Sequence, residues 1–141
     1  MRDALTIEQA GHTTVQDLGR AGHARIGIAE NGAADRYSAR VANILVGNPD
    51  GAPHLEVTGS RLVLTARAPL LLAATGAADQ VAVGRTRQRA WEPVVVAAGQ
   101  RVAVEPGRRG LRCYLAINGA LDAPQVLGSV APDPLLGSVS A

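Results

Sequence analysis

Leu111-Arg112-Cys113-Tyr114-Leu115-Ala116-Ile117 is the stretch whose reading decides the fold. Leu111, Cys113, Leu115 and Ile117 share one face and Arg112, Tyr114 and Ala116 the other, the period of two that a half-buried strand requires. Working outward, short strand-like runs recur at residues 101–104, 94–97, 80–83, 70–75, 61–65 and 55–57, with two more at 13–16 and 5–8. Gly59, Gly76, Gly84, Gly99 and Gly107 punctuate the series at turn positions.

One segment breaks this rhythm. Between Asp35 and Val46, the apolar residues Tyr37, Val41, Ile44 and Leu45 fall at i, i+4, i+7 and i+8, which predicts a helix packing that stripe inward. Asp35 is placed to cap its start and Gly47 its end, with Arg36, Arg40 and Asn43 on the opposite face. Many short strands around a single helix predict an all-β fold with one helix, a closed or nearly closed barrel plugged at one end. No repeat or linker divides residues 1–141, so a single domain is expected.

Composition excludes several classes of function. The chain has 141 residues, 47% of them hydrophobic and 18% charged, as expected of a globular domain with a core. No apolar run approaches the roughly 18 residues of a membrane span. The start, Met1-Arg2-Asp3-Ala4-Leu5, has no signal-peptide core, and a lone cysteine, Cys113, forms no internal disulfide, so a cytoplasmic location is expected. All 14 basic residues are arginine. Without lysine this chain carries no biotin, no Walker lysine and no Schiff base. A net charge of +2 with only Tyr37, Trp91 and Tyr114 as aromatics argues against nucleic acid, and the absence of Phe against a prolyl-isomerase pocket. His12, His23 and His54 lack metal-site spacing, Ser38, Ser60 and Ser129 have no nucleophile-elbow context, and Cys113 reads as a buried structural thiol.

The polar residues cluster elsewhere. Thr13-Thr14-Val15-Gln16-Asp17-Leu18-Gly19-Arg20-Ala21-Gly22 groups an amide, a carboxylate and a guanidinium among glycines, and Gly32-Ala33-Ala34-Asp35 follows. Glycines beside charged groups point to a backbone shaped to bring those groups together or close to a ligand. Asp17 and Arg20 either hold the 19–22 loop or present a carboxylate and a planar fork to a substrate. Asp35 caps the helix or reaches into a site. Asn43, a weak helix former, either bonds a neighbouring loop or faces a ligand. Glu56 points away from Leu55 and Val57, to solvent or to a site-lining interior.

These blocks, with His54-Leu55-Glu56-Val57-Thr58-Gly59, residues 110–119 and Val126-Leu127-Gly128-Ser129, resemble the allophanate hydrolase subunit 2 family, whose members include the C subunit of 5-oxoprolinase. The resemblance spans nearly the whole chain, in family order. It implies a cyclophilin-like β-barrel equivalent to the N-terminal lobe of longer members, which carry a second lobe beyond the Leu-Gly-Ser block. Asn118-Gly119-Ala120 and Ala131-Pro132-Asp133-Pro134 depart from the family pattern. The resemblance further implies a component of an ATP-dependent complex that opens 5-oxoproline. Its partners would be a companion subunit of related fold, of the allophanate hydrolase subunit 1 type, and a lactam-hydrolase subunit. ATP would act in the assembly, with no metal on this chain. On this reading Asp17 and Glu56 are catalytic, while Gln16, Arg20, Asp35 and Asn43 bind substrate. Two alternatives remain: a urea-carboxylase-like carboxyltransferase component with biotin supplied in trans, and a non-enzymatic module binding a kinase-inhibitor-type partner. Apolar Val126-Leu127 and Leu135-Leu136 predict an oligomer or complex interface.

Overall fold

The computed structural model of the chain describes residues 4–119 and 121–133, so Ala120 and Leu135-Leu136 lie outside the described residues. The elements are β1 (Leu5–Gln9), β2 (Thr13–Gln16), α1 (Arg36–Leu45), β3 (His54–Thr58), β4 (Leu62–Ala66), β5 (Leu70–Gly76), β6 (Gln80–Val83), β7 (Thr86–Arg89), β8 (Val94–Val96), β9 (Arg101–Val104) and β10 (Arg112–Ile117). They form two five-stranded antiparallel sheets, ordered β1-β4-β9-β6-β7 and β2-β3-β10-β5-β8. The described ladders keep the two sheets separate, so the architecture is a pair of packed sheets and the expected closed barrel is not among the observed pairings.

Between the sheets lie Leu62, Leu64, Val81, Val83, Val102 and Val104 from the first and Val15, Leu55, Val57, Leu72, Cys113, Leu115 and Ile117 from the second. Each fully buried Leu, Ile or Val side chain contributes about 1.5–3 kcal/mol, so this layer carries most of the fold's stability. Burial pushes the Cys113 thiol up to about 12 and keeps it inert at neutral pH. Leu111 precedes β10 and is exposed, while Tyr114 and Ala116 on the opposite face are also buried. The strand read as half-buried is therefore covered on both faces.

That second cover is α1, which lies on the outer face of β5 and β10 and plugs no barrel end. Its packed side differs from the one expected. Ala39, Ala42 and Val46 meet Ala73, Ala116 and Tyr114, and Ser38 and Asn43 are buried with them. Tyr37 and Ile44 are instead 70% and 61% exposed. The reason is shape: small residues on both surfaces let the helix approach closely, and bulky Tyr37 and Ile44 would hold it off. Caps fall as expected, Asp35 accepting from the Ser38 amide at 3.1 Å. Gly47, at φ +80°, follows the last turn. Strand β7 escaped the sequence reading because Thr86-Arg87-Gln88-Arg89 is exposed throughout and has no alternation to detect.

Candidate functional site

The polar residues collect on the helix side of the second sheet, away from the inter-sheet core. Here the 17–35 segment folds over β2 and β3. Two glycines make this possible: a Cβ on Gly32 would stand 2.5 Å from the Gly19 amide nitrogen, and both residues have positive φ. Only two glycines allow the backbones to cross so closely, with Ala33 N donating to Asp17 O at 2.8 Å and Arg20 N to Glu30 O at 2.7 Å.

Asp17 is buried and fully engaged. Its carboxylate accepts from the Gly19 amide at 2.8 Å, the Ser129 hydroxyl at 2.5 Å and the Val130 amide at 3.0 Å. Arg20, 3% exposed, donates through Nε to Val126 O at 3.2 Å and through Nη2 to the carbonyls of Ser129 and Ala131. Acid and base together clamp the 126–131 segment, so the structural alternative for this pair is the one the geometry favours. Ser129, set aside at the sequence level as a nucleophile, is the clamp's centre.

Glu56 sits on β3 directly opposite Tyr114 on β10. Its Oε2 accepts from the Tyr114 hydroxyl at 2.8 Å and from the Ala34 amide at 3.0 Å. Tyr114 OH in turn accepts from the Asp35 amide at 2.8 Å. Burial pushes the Tyr114 hydroxyl above its ordinary value, keeping it protonated and donating. The face left open between solvent and site is thus a buried polar layer under the helix start. It borders a cleft of 360 Å³ lined by Ala34, Asp35, Gly76, Ala77, Arg109, Gly110, Leu111, Arg112 and Tyr114. Arg112 Nε stands 4.0 Å from Glu56 Oε1. Chemically the cleft lining offers Arg109, Arg112 and Tyr114, with the Glu56 carboxylate bonded to the Tyr114 hydroxyl. Sequence reasoning missed Arg109, Arg112 and Tyr114. For Tyr114 a signal existed: the large polar-tipped residue opposite the core face of a central strand.

Asn43 lies apart from this cleft, at the helix's other end. It donates to Ala52 O at 2.8 Å and accepts from Asn48 Nδ2 at 3.1 Å, while Asn48 also reaches Ile117 O at 2.9 Å. This amide network ties the helix end to the β10 end. The six expected site residues therefore divide into a clamp (Asp17, Arg20), a cleft border (Asp35, Glu56) and a loop tie (Asn43), with Gln16 beside the clamp. Among the described residues no group of three or more His, Cys, Asp or Glu is arranged to hold a metal.

Gln16 pairs with His54 across β2 and β3. Gln16 Nε2 donates to Thr14 Oγ1 at 3.0 Å, and His54 Nδ1 donates to Ala52 O at 3.3 Å, as the carbonyl partner requires. Gln16 Oε1, His54 Nε2 and Arg20 Nη1 are buried and have no hydrogen-bond partner among the described residues. Burial holds the His54 pKa below 6.5, against the opposing pull of the Ala52 carbonyl and of Glu56 and Asp17. The unfolded chain therefore binds the proton more readily. His54 leaves stability level above about pH 6.5 and lowers it as pH falls below that, by at most about 1.4 kcal/mol per pH unit. His54→Leu is expected to be neutral or stabilising at pH 7.5 and to remove this acid dependence, read by urea unfolding at pH 5.5, 6.5 and 7.5. A wild-type-to-variant difference that stays constant across that range would contradict a neutral buried histidine.

Residues 26–139 match the family described as "Carboxyltransferase domain, subdomain A and B". The chain belongs to this carboxyltransferase domain family. It is 38% identical over 134 residues to the 5-oxoprolinase C subunit of Escherichia coli (strain K12), covering 94% of this chain and 43% of that protein. Against Saccharomyces cerevisiae urea amidolyase it is 35% identical over 128 residues, covering 89% of this chain and 7% of that one. The Kluyveromyces lactis urea carboxylase structure superimposes with a TM-score of 0.90 at 32% identity, over 97% of this chain and 12% of that chain. This member of the family thus spans under half the length of the curated relatives it matches. No helix among the described residues is long and apolar enough to cross a membrane.

Proposed function

We propose that this chain works as the first lobe of a component like the 5-oxoprolinase C subunit, a cyclophilin-like domain within an ATP-dependent amide-hydrolysing complex of the cytoplasm. The observation that carries this reading is the match to the E. coli 5-oxoprolinase C subunit over 94% of the chain. The assembly is completed by a companion of related fold and a lactam-hydrolase subunit. ATP belongs to that assembly, since this chain has no lysine to build a Walker cradle. Glu56 and Asp35 act at the cleft, with Glu56 as the proton-handling group; Gln16, Asp17, Arg20 and Asn43 act by holding the surrounding segments. The exposed Tyr37, Ile44, Trp91 and Val95 supply apolar surface for a partner.

A second reading is favoured by the urea amidolyase and urea carboxylase relatives: a carboxyltransferase component acting on urea, with a biotin carrier supplied in trans. One experiment separates the two. The purified chain is assayed for ATP turnover with 5-oxoproline, alone and with its co-expressed companion subunits, and for urea carboxylation with a biotinylated carrier. The expected result is no turnover alone, 5-oxoproline-stimulated turnover in the complex, and at least a roughly hundredfold loss in Glu56→Gln if it is a general acid–base. Carrier-dependent urea carboxylation would move the assignment to the second reading. Turnover by the isolated chain would overturn the reading of this chain as one lobe of a larger component. Tyr37→Asp with Ile44→Asp should abolish co-purification while leaving the melting temperature unchanged, since both side chains are exposed.

A further inference from the structure

We propose that the cleft between the start of α1 and the 109–112 loop binds a small molecule through its carboxylate, gripped by Arg109 and Arg112. The cleft is the one at which Glu56 and Asp35 are proposed to act, and the inference rests on that reading for its location, while its binding test needs no assembled complex. Its first support is which charges are committed and which are free. Asp35 spends its carboxylate on Ser38, accepting from the amide at 3.1 Å and the hydroxyl at 2.5 Å. Glu56 Oε2 is taken by Tyr114 and Ala34. Asp35 is thus engaged by its own chain, and Glu56 through Oε2, with Oε1 left on the side of Arg112. The arginines are less engaged: Arg109 is exposed and makes no ion pair among the described residues, and Arg112 meets Glu56 only through Nε at 4.0 Å. Both arginines, three residues apart, line the cleft.

The second support is the shape and lining. A volume of 360 Å³ is at the small end of ligand sites, large enough for a short carboxylic acid. Ala34, Ala77 and the half-exposed Leu111 add apolar surface to the lining for a carbon skeleton. Glycine keeps the wall thin, since a Cβ on Gly76 would stand 2.6 Å from Arg112 O and 3.0 Å from the Tyr114 ring. A guanidinium fork matches the two coplanar oxygens of a carboxylate, and two such forks fit a ligand with one carboxylate shared or two carboxylates separately held. Arg20, the residue whose sequence context first pointed to anion binding, is buried in its clamp, and the exposed pair on the 109–112 loop takes that role.

The test is a titration of the full chain followed by amide chemical shifts, using glutarate, its uncharged isostere glutaramide and inorganic phosphate. Glutarate should shift Ala34, Asp35, Ala77 and Gly110, and glutaramide should not. The double variant Arg109→Gln, Arg112→Gln should bind glutarate at least tenfold more weakly with an unchanged melting temperature. Arg109→Gln alone, which leaves the Glu56 contact in place, should show a smaller loss in the same direction. Equal glutarate affinity in wild type and double variant would sink the proposal. Phosphate bound as tightly as glutarate would overturn the assignment to carboxylates.

Discussion

Asp17→Ala should unfold far more easily than the wild type, by about 3–5 kcal/mol, because it strands three donors at once, two of them buried. Gly19 N, Val130 N and the Ser129 hydroxyl all end on this carboxylate. The 126–131 segment would lose half of its clamp. At this chain length the loss corresponds to a melting temperature lower by roughly 10 °C or more. Ser129→Ala removes one bond of the three and should cost less, about 1–2 kcal/mol. Thermal and urea unfolding measure both. A melting temperature within about 2 °C of wild type for Asp17→Ala, combined with lost activity in the assembled complex, would return Asp17 to a catalytic role.

Gly32→Ala is expected to be at least as damaging, though it adds one methyl group at a half-buried position. An alanine at φ +88° carries a left-handed penalty of about 1–2 kcal/mol by itself. The greater cost is steric: the new Cβ would meet the Gly19 nitrogen at 2.5 Å and the Leu18 carbonyl carbon at 2.6 Å, atoms of backbone that cannot rotate away. The crossing must open, and with it go the Ala33-to-Asp17 and Arg20-to-Glu30 bonds. A total loss above about 3 kcal/mol follows. Gly22→Ala is the control, because its Cβ meets nothing within 4 Å despite φ +87°. It should cost only the left-handed penalty, and equal losses in the two variants would show that the close crossing is absent.

Much of the fold was legible because its signals are local. The alternation in 112–117 located β10, the glycine turns separated the strands, and Asp35 and Gly47 bounded the helix. What misled was the reading of the helix's faces. Tyr37, Val41, Ile44 and Leu45 have helical spacing, but spacing states only that they share a side. Which side packs was decided by Ala73 and Ala116 across from it, small residues that accept Ala39 and Ala42. The sheet closure implied by the family resemblance depends on pairings between distant strands, and no local signal carries those.

Residue by residue, the candidate site was read with the same strength and weakness. Sequence alone determined which groups are chemically able to act: arginine and no lysine, glycines beside Asp17, and a glutamate on the non-core face of a strand. It also determined family membership, since residue identity in order is what that match measures. Only the tertiary structure decided the use of each group. Asp17 and Arg20 became a clamp because the chain brings residues 126–131 back against them, more than a hundred positions away. Glu56 gained Tyr114 because β10 lies beside β3, and the 109–112 loop faces the helix start because β10 follows it under α1. A side chain's chemistry is local and written in its identity. Its burial and its partners are set by long-range packing, where the free energy of the whole fold chooses the neighbours.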